Sequence, residues 1–211
     1  RAGGHLLVFL HAVELLEHPV EHARMVEIDG EVIRLSKEFL PSIPGEAFSD
    51  PRAKVDVGDG VAFLRDTSEH YDVVLVDSTD PVGPAVELFG ERFYRDVQRA
   101  IGSTGIVALQ SGSSLVFQNE LAALVDLLRG IFPVVRTYLA SIPIYPGVLW
   151  SFTTASMSLD PSIINHETVA KRLKANNRPT GWYTPKVHEA AFALPNFVAR
   201  KTSCLRPLIA L

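Results

Sequence analysis

The chain alternates short runs of branched apolar residues with amphipathic stretches of helical spacing, and this alternation limits its possible folds more than any other feature. Strands separated by helices imply right-handed crossovers and a largely parallel sheet that is covered on both faces. The pattern therefore predicts an α/β fold. The predicted strands are 23–28, 53–57, 72–76 and 105–110, and the predicted helices are 31–39, 61–66, 87–101 and 115–131.

Two later strand-like runs, 133–141 and 148–156, are separated only by the loop IPIYPG, which leaves no room for a helix. These runs predict an antiparallel hairpin. A parallel sheet that ends in such a hairpin is the arrangement of the class I methyltransferase-like Rossmann fold. Two short helices are predicted after the hairpin, at 166–176 and 185–193.

The size and composition of the chain limit its possible partners. With 211 residues, of which 47% are hydrophobic, it is long enough for a single domain over 1–211. A formal charge of -4 and the absence of a basic cluster exclude nucleic acid as an expected partner and suit a cationic ligand. No apolar run approaches the roughly 20 residues of a membrane-spanning helix, so no membrane partner is expected. The single cysteine, Cys204, excludes an internal disulfide and predicts a cytoplasmic protein.

Acidic residues follow or end three of the predicted strands. Glu27 closes ARMVEID, Asp59 lies in KVDVGDG and Asp77 ends DVVLVD. In an open parallel sheet, ligands bind beyond the carboxyl ends of the strands. A carboxylate such as Glu27 can accept hydrogen bonds from both hydroxyls of a ribose, and Asp59 with Gly60 can receive an adenine amino group. A solvated carboxylate and an ordinary turn are the plainer interpretations of these positions.

Asp77 and Asp80 lie three residues apart in VDSTDPVGPA (76–85). Two carboxylates at this spacing raise each other's pKa unless they share a cation. A bound amine would supply that cation, so the pair is interpreted as an amine-binding site. In the alternative interpretation Asp80 caps a turn or helix ahead of Pro81.

Gln110 and Tyr145 are weaker candidates at the same edge of the predicted sheet. Gln110 ends the strand after Asp77, and Tyr145 lies in the hairpin loop. They offer an amide acceptor and a ring face that attracts ammonium, although turn formation or core packing also explains each residue.

The histidines suggest no metal site. His18 and His22 have helical spacing, but Pro19 breaks the helix that would align them, so no metal ligand is predicted. The segment HEAAFALPNF (188–197) is expected to pack as an apolar face with His188 at its edge.

Six segments of the sequence together carry a family resemblance. They are MVEID, GDG, VDSTDPVGPA, ELFGERFYRDVQRAIG, IPIYP and WYTPKVHEAAFALPNF. They resemble the spermidine synthase (polyamine aminopropyltransferase) family from about Glu14 to about Arg200. The resemblance implies transfer of an aminopropyl group from decarboxylated S-adenosylmethionine to a primary amine, usually putrescine, which gives spermidine and 5'-methylthioadenosine. It also implies small-molecule substrates, no metal or redox cofactor, and a homo-oligomer.

The resemblance implies a role for each matching residue. Asp77 would be the base on the attacking amine, and Glu27 would bind the ribose. The residues implied around the adenine are Asp59, Gly60 and Pro84. The residues implied along the polyamine channel are Ser78, Thr79, Asp80, Gln110 and Tyr145.

The sequence departs from this family pattern at its start. Members carry a glycine-rich loop with an acidic residue, of the type GGGDGG, which should fall at about His5 to Leu10, where the chain reads HLLVFL. This difference predicts a truncated or frame-disrupted copy with impaired or no activity, in which HLLVFLHAVELL forms either a helix or a makeshift strand. The amino-terminal β-domain of the family is expected to be absent, and 1–13 and 202–211 are expected to be atypical.

Two other functions stay open at this point. The same fold and aspartate motif serve methyl transfer from S-adenosylmethionine to an amine, which would make the chain an N-methyltransferase. A chain without the glycine-rich loop is also consistent with a non-catalytic remnant of the family.

Overall fold

The computed structural model describes residues 5–9, 20–41, 47–77, 87–145, 147–175 and 180–202, with the backbone alone over 5–9. The chain divides into two compact units. The first comprises 1–109 and 156–159, and the second comprises 110–155 and 160–211. A single domain over 1–211 stays a prediction.

The first unit alternates strands and helices as the sequence predicts. Its elements are β1 (His5–Phe9), β2 (His22–Glu27), α1 (Gly30–Phe39), a 3₁₀ turn (Ala47–Ser49), β3 (Ala53–Val57), α2 (Gly60–Asp66), β4 (Val73–Val76), α3 (Glu91–Ile101) and the start of β5 (Ile106–Ser113). The strand order is β3-β2-β1-β4-β5, and every adjacent pair is parallel. The predicted parallel α/β arrangement is confirmed.

Strand β1 lies between β2 and β4 in this sheet. Its Leu7 is opposite Arg24 of β2 and Val74 of β4. Over His5–Phe9 the strand alternative is therefore confirmed and the helix alternative is wrong. The physical reason is that β2 and β4 would otherwise each leave a row of backbone hydrogen-bonding groups without partners.

Helix α3 buries one face against the sheet. The buried residues recur at helical spacing and are Phe93, Tyr94, Val97, Ala100 and Ile101. The predicted start at Glu87 is wrong, because Gly90 has the extended conformation of an N-cap and the helix begins at Glu91. The predicted end at Ile101 is confirmed, and Gly102 follows as the C-cap with a φ of 59° that suits glycine.

The end of α3 meets β4 and β5 at a close approach that only glycine permits. The Tyr71 amide donates to Ala100 O at 2.9 Å, and the Gly105 amide donates to Ile101 O at 3.0 Å. A Cβ atom on Gly105 would lie 2.6 Å from Ile101 O and 2.7 Å from Tyr71 O. Because α3 ends beside the start of β4, its first turn lies at the carboxyl end of that strand.

The second unit contains the rest of β5 and the elements that follow it. They are α4 (Gln118–Arg129), β6 (Val134–Ser141), β7 (Leu149–Ser156), a 3₁₀ turn (Pro161–Ile163), α5 (His166–Ala175), α6 (Pro185–Phe192) and α7 (Asn196–Thr202). Strand β7 lies between β5 and β6. Seven residues join β6 to β7, which is too short for a parallel crossover, so the predicted antiparallel hairpin is confirmed. Helix α7 was not predicted, and α4 is shorter than the predicted 115–131.

Small hydroxyl side chains connect β5, β6 and β7. Ser111 Oγ donates to Thr153 Oγ1 at 2.7 Å, and Thr153 Oγ1 lies 3.4 Å from Thr137 Oγ1. Ser151 Oγ donates to the carbonyl of Gly112 at 2.8 Å. The prediction that β5 ends at Gln110 is therefore wrong. The polar residues that follow Gln110 stay in the strand because their hydrogen bonds are made within the sheet.

His188 is buried at 8% exposure, so the prediction that it lies at the edge of an apolar face is wrong. Its Nε2 lies 2.9 Å from the carbonyl oxygen of Pro161, and its Nδ1 lies 2.8 Å from the Tyr183 hydroxyl. A carbonyl can only accept, so Nε2 carries a proton, and the Tyr183 hydroxyl is the partner of Nδ1. These bonds explain how α6 accommodates a buried histidine.

Arg99 of α3 holds the end of α2. Its guanidinium donates to the carbonyl oxygens of Leu64 at 2.6 Å, Arg65 at 3.0 Å and Thr67 at 2.7 Å. The last carbonyl groups of a helix have no partners within the helix. One side chain therefore satisfies three carbonyls and joins two helices.

Replacing Arg99 with Met should lower the free energy of unfolding by about 1–3 kcal/mol, because charge-assisted bonds to these carbonyls are lost. Arg95 on the same helix bonds Glu91 in an exposed i,i+4 pair. Arg95→Met should therefore cost less than about 0.5 kcal/mol. Urea titration of both variants measures the two changes in the free energy of unfolding. Equal changes would show that the bonds from Arg99 to the three carbonyl groups do not stabilise the protein.

Two tyrosines of the first unit differ in how their hydroxyls are satisfied. Tyr71 donates to Glu69 at 2.6 Å, and Glu69 also accepts from Arg24 at 2.8 Å. The Tyr71 bond, opposed by partial burial and assisted by Arg24, holds the pKa of Glu69 below its ordinary value. Tyr94 is fully buried, and within the described residues its hydroxyl has no hydrogen-bond partner.

Tyr71→Phe should lower the free energy of unfolding by about 1 kcal/mol at pH 7, allowing for the exposure of Glu69. Because the folded-state pKa of Glu69 lies below its unfolded value of about 4.3, this contribution is present above that value and is lost as pH falls through the folded pKa. Tyr94→Phe removes an unpartnered hydroxyl and should not destabilise the protein at either pH. Urea titrations at pH 7 and pH 3 test this, and a Tyr71→Phe loss that is equal at both pH values would contradict it.

Candidate active site

Two predicted acids lie at equivalent positions on either side of β1. Val8 of β1 is opposite Met25 of β2 and Leu75 of β4. Glu27 and Asp77 each follow those partners by two residues, so both lie in the same row at the carboxyl end of the sheet. Adjacent strands are about 4.8 Å apart, which places the two backbones about 10 Å apart across β1.

This row coincides with the point where the direction of the chain across the sheet reverses. From β1 the chain passes to β2 and β3 on one side, and then returns to β4 and β5 on the other. Open α/β sheets bind ligands at such a switch point, beyond the carboxyl ends of the strands. The first turn of α3 also lies at this end of β4.

Glu27 is a buried carboxylate, with 5% of its surface exposed. Its Oε1 accepts from the Asp29 amide at 2.9 Å, and its backbone carbonyl accepts from Gly58 at 2.9 Å. In the described part of the chain, no donor is bonded to its Oε2. The fold therefore fixes this carboxylate and leaves one oxygen able to accept a further hydrogen bond.

Asp59 is the N-cap of α2. Its Oδ1 accepts from the Val61 amide at 2.8 Å, and Gly60 is the first helical residue. The plainer interpretation of Asp59 as a turn residue thus describes one role that it has. Its side chain is exposed, so its second oxygen can still meet a ligand.

Two exposed apolar residues beside Glu27 and Asp59 were not singled out from the sequence. Ile28 and Val57 are each 63% exposed, although both directly follow or end a strand. The bond from Gly58 to the Glu27 carbonyl ties the two strand ends together. A large apolar residue directly after an acidic strand end is the signal that could have identified Ile28.

Asp77 is half-buried and directly follows β4, as predicted. Ser78, Thr79, Asp80 and Pro84 lie outside the described residues. The shared cation between Asp77 and Asp80 therefore stays a prediction.

The second unit brings Gln110 and Tyr145 together around Trp150. Trp150 Nε1 donates to Gln110 Oε1 at 3.1 Å, and the Gly112 amide donates to the same oxygen at 3.1 Å. The ring centroids of Tyr145 and Trp150 are 4.2 Å apart. The amide oxygen expected to receive an amine is thus already an acceptor for two groups. Trp150 itself was missed, although a tryptophan at the start of a strand after a loop is a recognisable signal.

The hairpin loop presents Tyr145 through two left-handed residues. Gly147 has a φ of 82° and Val148 a φ of 61°. The Tyr145 amide donates to Ile142 O, and the Val148 amide donates to Tyr145 O. This turn leaves the Tyr145 side chain 45% exposed.

Within the described ranges, no group of three or more His, Cys, Asp or Glu residues is placed to hold a metal ion. Among the same residues, no helix combines the length and apolar character that crossing a membrane requires.

Comparison with known proteins places this sheet in a family. The spermine/spermidine synthase domain matches residues 3–165, which is most of the chain. The chain belongs to the spermine/spermidine synthase family. Residues Glu27, Asp59 and Asp77 all lie within the matched domain.

Three proteins illustrate how similar this spermine/spermidine synthase domain is to its relatives. The polyamine aminopropyltransferase of Thermoanaerobacter sp. is 40% identical over 186 residues, which cover 88% of this chain and 65% of that protein. A spermidine synthase solved in complex with the transition-state analogue AdoDATO is 30% identical with a TM-score of 0.87, and the match covers 97% of this chain and 71% of that one. The spermidine synthase from Thermotoga maritima is also 30% identical, with a TM-score of 0.84 and coverage of 97% and 70%.

These relatives confirm the predicted family and the predicted methyltransferase-like Rossmann fold. The chain spans 65% of the length of the curated relative from Thermoanaerobacter. The fold and the family membership are therefore features that this chain shares with its longer relatives.

Asp59→Ala should lower the free energy of unfolding by about 1 kcal/mol, because α2 loses its N-cap. Asp59→Asn should cost much less, since asparagine is an equally good N-cap that lacks the charge. Thermal or urea unfolding measures both. If the Asn variant were destabilised as much as the Ala variant, the cap would not be the structural role of Asp59.

Proposed function

We propose that this spermine/spermidine synthase domain transfers an aminopropyl group from decarboxylated S-adenosylmethionine to putrescine, giving spermidine and 5'-methylthioadenosine. The observation that carries this proposal is the placement of Glu27 and Asp77 in one row at the switch point of the sheet. That row offers one fixed acid for a nucleoside and a second acid, about 10 Å away, for an amine.

We assign the nucleoside to the ends of β2 and β3. Glu27 would accept the ribose hydroxyls through its remaining oxygen, and Asp59 would accept from the adenine amino group. Gly60 and Pro84 would complete the adenine site. The exposed side chains of Ile28 and Val57 suit the flat face of a base, which prefers apolar contact.

We assign the amine to Asp77 and the motif that follows it. Ser78, Thr79 and Asp80 would line the amine path as the family resemblance implies. The family resemblance also implies Gln110 and Tyr145 for the amine, and within the second unit Trp150 contacts both of these side chains. The ring of Tyr145 offers a face that attracts an ammonium group.

The chemistry requires a base beside the attacking nitrogen. An alkylammonium has a pKa of about 10.4 and is not nucleophilic until it loses a proton. Asp77 would accept that proton as the C–N bond forms and the C–S bond breaks, and the sulfonium would leave as a neutral thioether. Positive charge moves from sulfur to nitrogen, so a fixed anion near the nitrogen stabilises the transition state more than the ground state.

No metal or redox cofactor enters this proposal, because a sulfonium is already a good leaving group and no electrons are gained or lost. Decarboxylated S-adenosylmethionine is a co-substrate that is consumed. We place the reaction in the cytoplasm, as the single cysteine suggests.

The absence of glycine in and after β1 affects how well the chain is expected to bind the aminopropyl donor. β1 occupies His5–Phe9, and no glycine occurs from His5 to Asp29. Glycine lets a backbone approach a ligand closely, and bulky residues do not. We therefore propose that the donor is bound weakly and that turnover is slow.

Incubating the chain with putrescine and each of two labelled donors tests the reaction. Aminopropyl-labelled decarboxylated S-adenosylmethionine should give labelled spermidine by mass spectrometry. Incorporation of label only from methyl-labelled S-adenosylmethionine would instead identify an N-methyltransferase. No transfer from either donor, with no calorimetric binding of 5'-methylthioadenosine, would identify a non-catalytic remnant.

Asp77→Asn should lower turnover by roughly 100-fold or more, the scale of a lost general base. Asp72→Asn is the matched control, because Asp72 lies directly before the same strand, at the opposite end from Asp77, and should leave turnover unchanged. Asp77→Asn should also keep its affinity for 5'-methylthioadenosine, while Glu27→Gln should lose it. Normal turnover in Asp77→Asn would remove Asp77 from the role of base.

A further inference from the structure

The second unit contains a cleft whose residues have no part in the proposed reaction. Its volume is about 630 Å³, within the range of ligand-binding pockets. Its walls are β6, the start and middle of β7, α6 and the segment that precedes α6. We call it the β6–α6 cleft and define it by Tyr138, Ala140, Thr154, Trp182, Tyr183 and Phe192, which all line it.

The lining of the β6–α6 cleft is aromatic and uncharged. Among the described residues that form it there is no Asp, Glu, Lys or Arg. His188 also lines the cleft, but both of its ring nitrogens already have hydrogen-bond partners, the Pro161 carbonyl and the Tyr183 hydroxyl. A charged ligand would therefore lose its hydration without gaining a counter-charge.

The Tyr138 hydroxyl is the polar group through which this cleft can hydrogen-bond a ligand. The ring of Tyr138 stacks on the ring of Phe152, with 5.3 Å between the ring centroids, and it contacts the tilted ring of Phe192, with 5.5 Å between the centroids. These two contacts fix the position of the Tyr138 ring. Within the described part of the chain, no group forms a hydrogen bond with its hydroxyl. Burial raises the pKa of this phenol, which keeps it a hydrogen-bond donor.

The mouth of the cleft carries exposed aromatic surface. Trp182 is 67% exposed and Tyr183 is 39% exposed, and both line the cleft. The Tyr183 hydroxyl is hydrogen-bonded to His188 Nδ1 at 2.8 Å. Exposed aromatic rings beside a concave apolar wall commonly mark a binding site.

We propose that the β6–α6 cleft binds a small, neutral, planar aromatic molecule that accepts a hydrogen bond from Tyr138 and stacks on the aromatic rings of the cleft. Because no Asp, Glu, Lys or Arg lines the cleft, a neutral ligand is favoured over a charged one. The aromatic rings of the lining favour a flat molecule, and the Tyr138 hydroxyl favours a molecule with a hydrogen-bond acceptor. The residues of this site do not overlap with those assigned to the aminopropyl reaction. The inference therefore holds or fails independently of the proposed function.

Titration calorimetry of the whole chain with quinoline at pH 8 tests the proposal, because quinoline is neutral, planar and has one acceptor nitrogen. N-methylquinolinium is the matched probe, since it keeps the fused rings but carries a fixed charge and has no acceptor. We expect a single quinoline site and no measurable binding of N-methylquinolinium.

Two variants locate the binding. Tyr138→Phe should weaken quinoline binding by roughly fivefold, the factor for one neutral hydrogen bond, and it should fold normally because the hydroxyl has no partner to lose. Tyr94→Phe removes the unpartnered hydroxyl of α3 and should leave quinoline binding unchanged. Ala140→Phe, checked for folding by circular dichroism, should abolish binding by filling the cleft.

Three results would overturn the proposal. They are no quinoline binding by a chain that melts cooperatively, equal binding of the charged probe, and binding that Tyr138→Phe leaves unchanged. Sedimentation velocity adds a fourth, since a dimer that Ala140→Phe dissociates would make the cleft an interface between copies of the chain. If Ala140→Phe does not fold, the comparison of Tyr138→Phe with Tyr94→Phe decides the result.

Discussion

The pairing of β1 with strands on both of its edges is the interaction on which the sheet depends. Each of its residues from Leu6 to Val8 has a partner on β2 and another on β4. Without β1, two buried strands would present unpaired amide and carbonyl groups to an apolar interior. The pairing also sets the distance between Glu27 and Asp77, because each acid lies two residues beyond a residue that is paired with Val8 of β1. The chemical arrangement of the first unit therefore follows from five residues near the start of the chain.

Periodicity predicted most of the fold because the elements of the first unit bury one face each. Strand β3 was predicted with its observed bounds, and β2 and β4 to within one residue at either end. The misses have physical causes. β5 was shortened at Gln110 because the sequence QSGS resembles a turn, and only cross-strand partners make its hydroxyls acceptable in a strand. Helix α7 was missed because only three residues separate it from the end of α6, and it begins directly after Pro195.

The sequence predicted the site residues that lie at strand ends. It predicted less well the residues whose side chains are held by a residue that is distant in sequence. The positions of Glu27, Asp59 and Asp77 follow from the alternation of strands and helices. The N-cap role of Asp59 is local, and GDG already suggested a turn. Trp150 lies 40 residues from Gln110, and no pattern in the sequence announces the bond between them. Residues 78–86 lie outside the described ranges, so the partnership of Asp77 with Asp80 remains a prediction from spacing.

The hydroxyl contacts among β5, β6 and β7 have a consequence for how the hairpin can be assembled. In a sheet of purely apolar strands, sliding one strand by two residues would preserve which side chains face inward and would cost little. Here such a shift would leave the hydroxyls of Ser111, Thr137 and Thr153 without hydrogen-bond partners in a region from which water is excluded. The hydroxyl groups therefore specify the register of these strands. Their hydrogen bonds add little to the net stability, but every register except the native one would leave buried hydroxyls without partners.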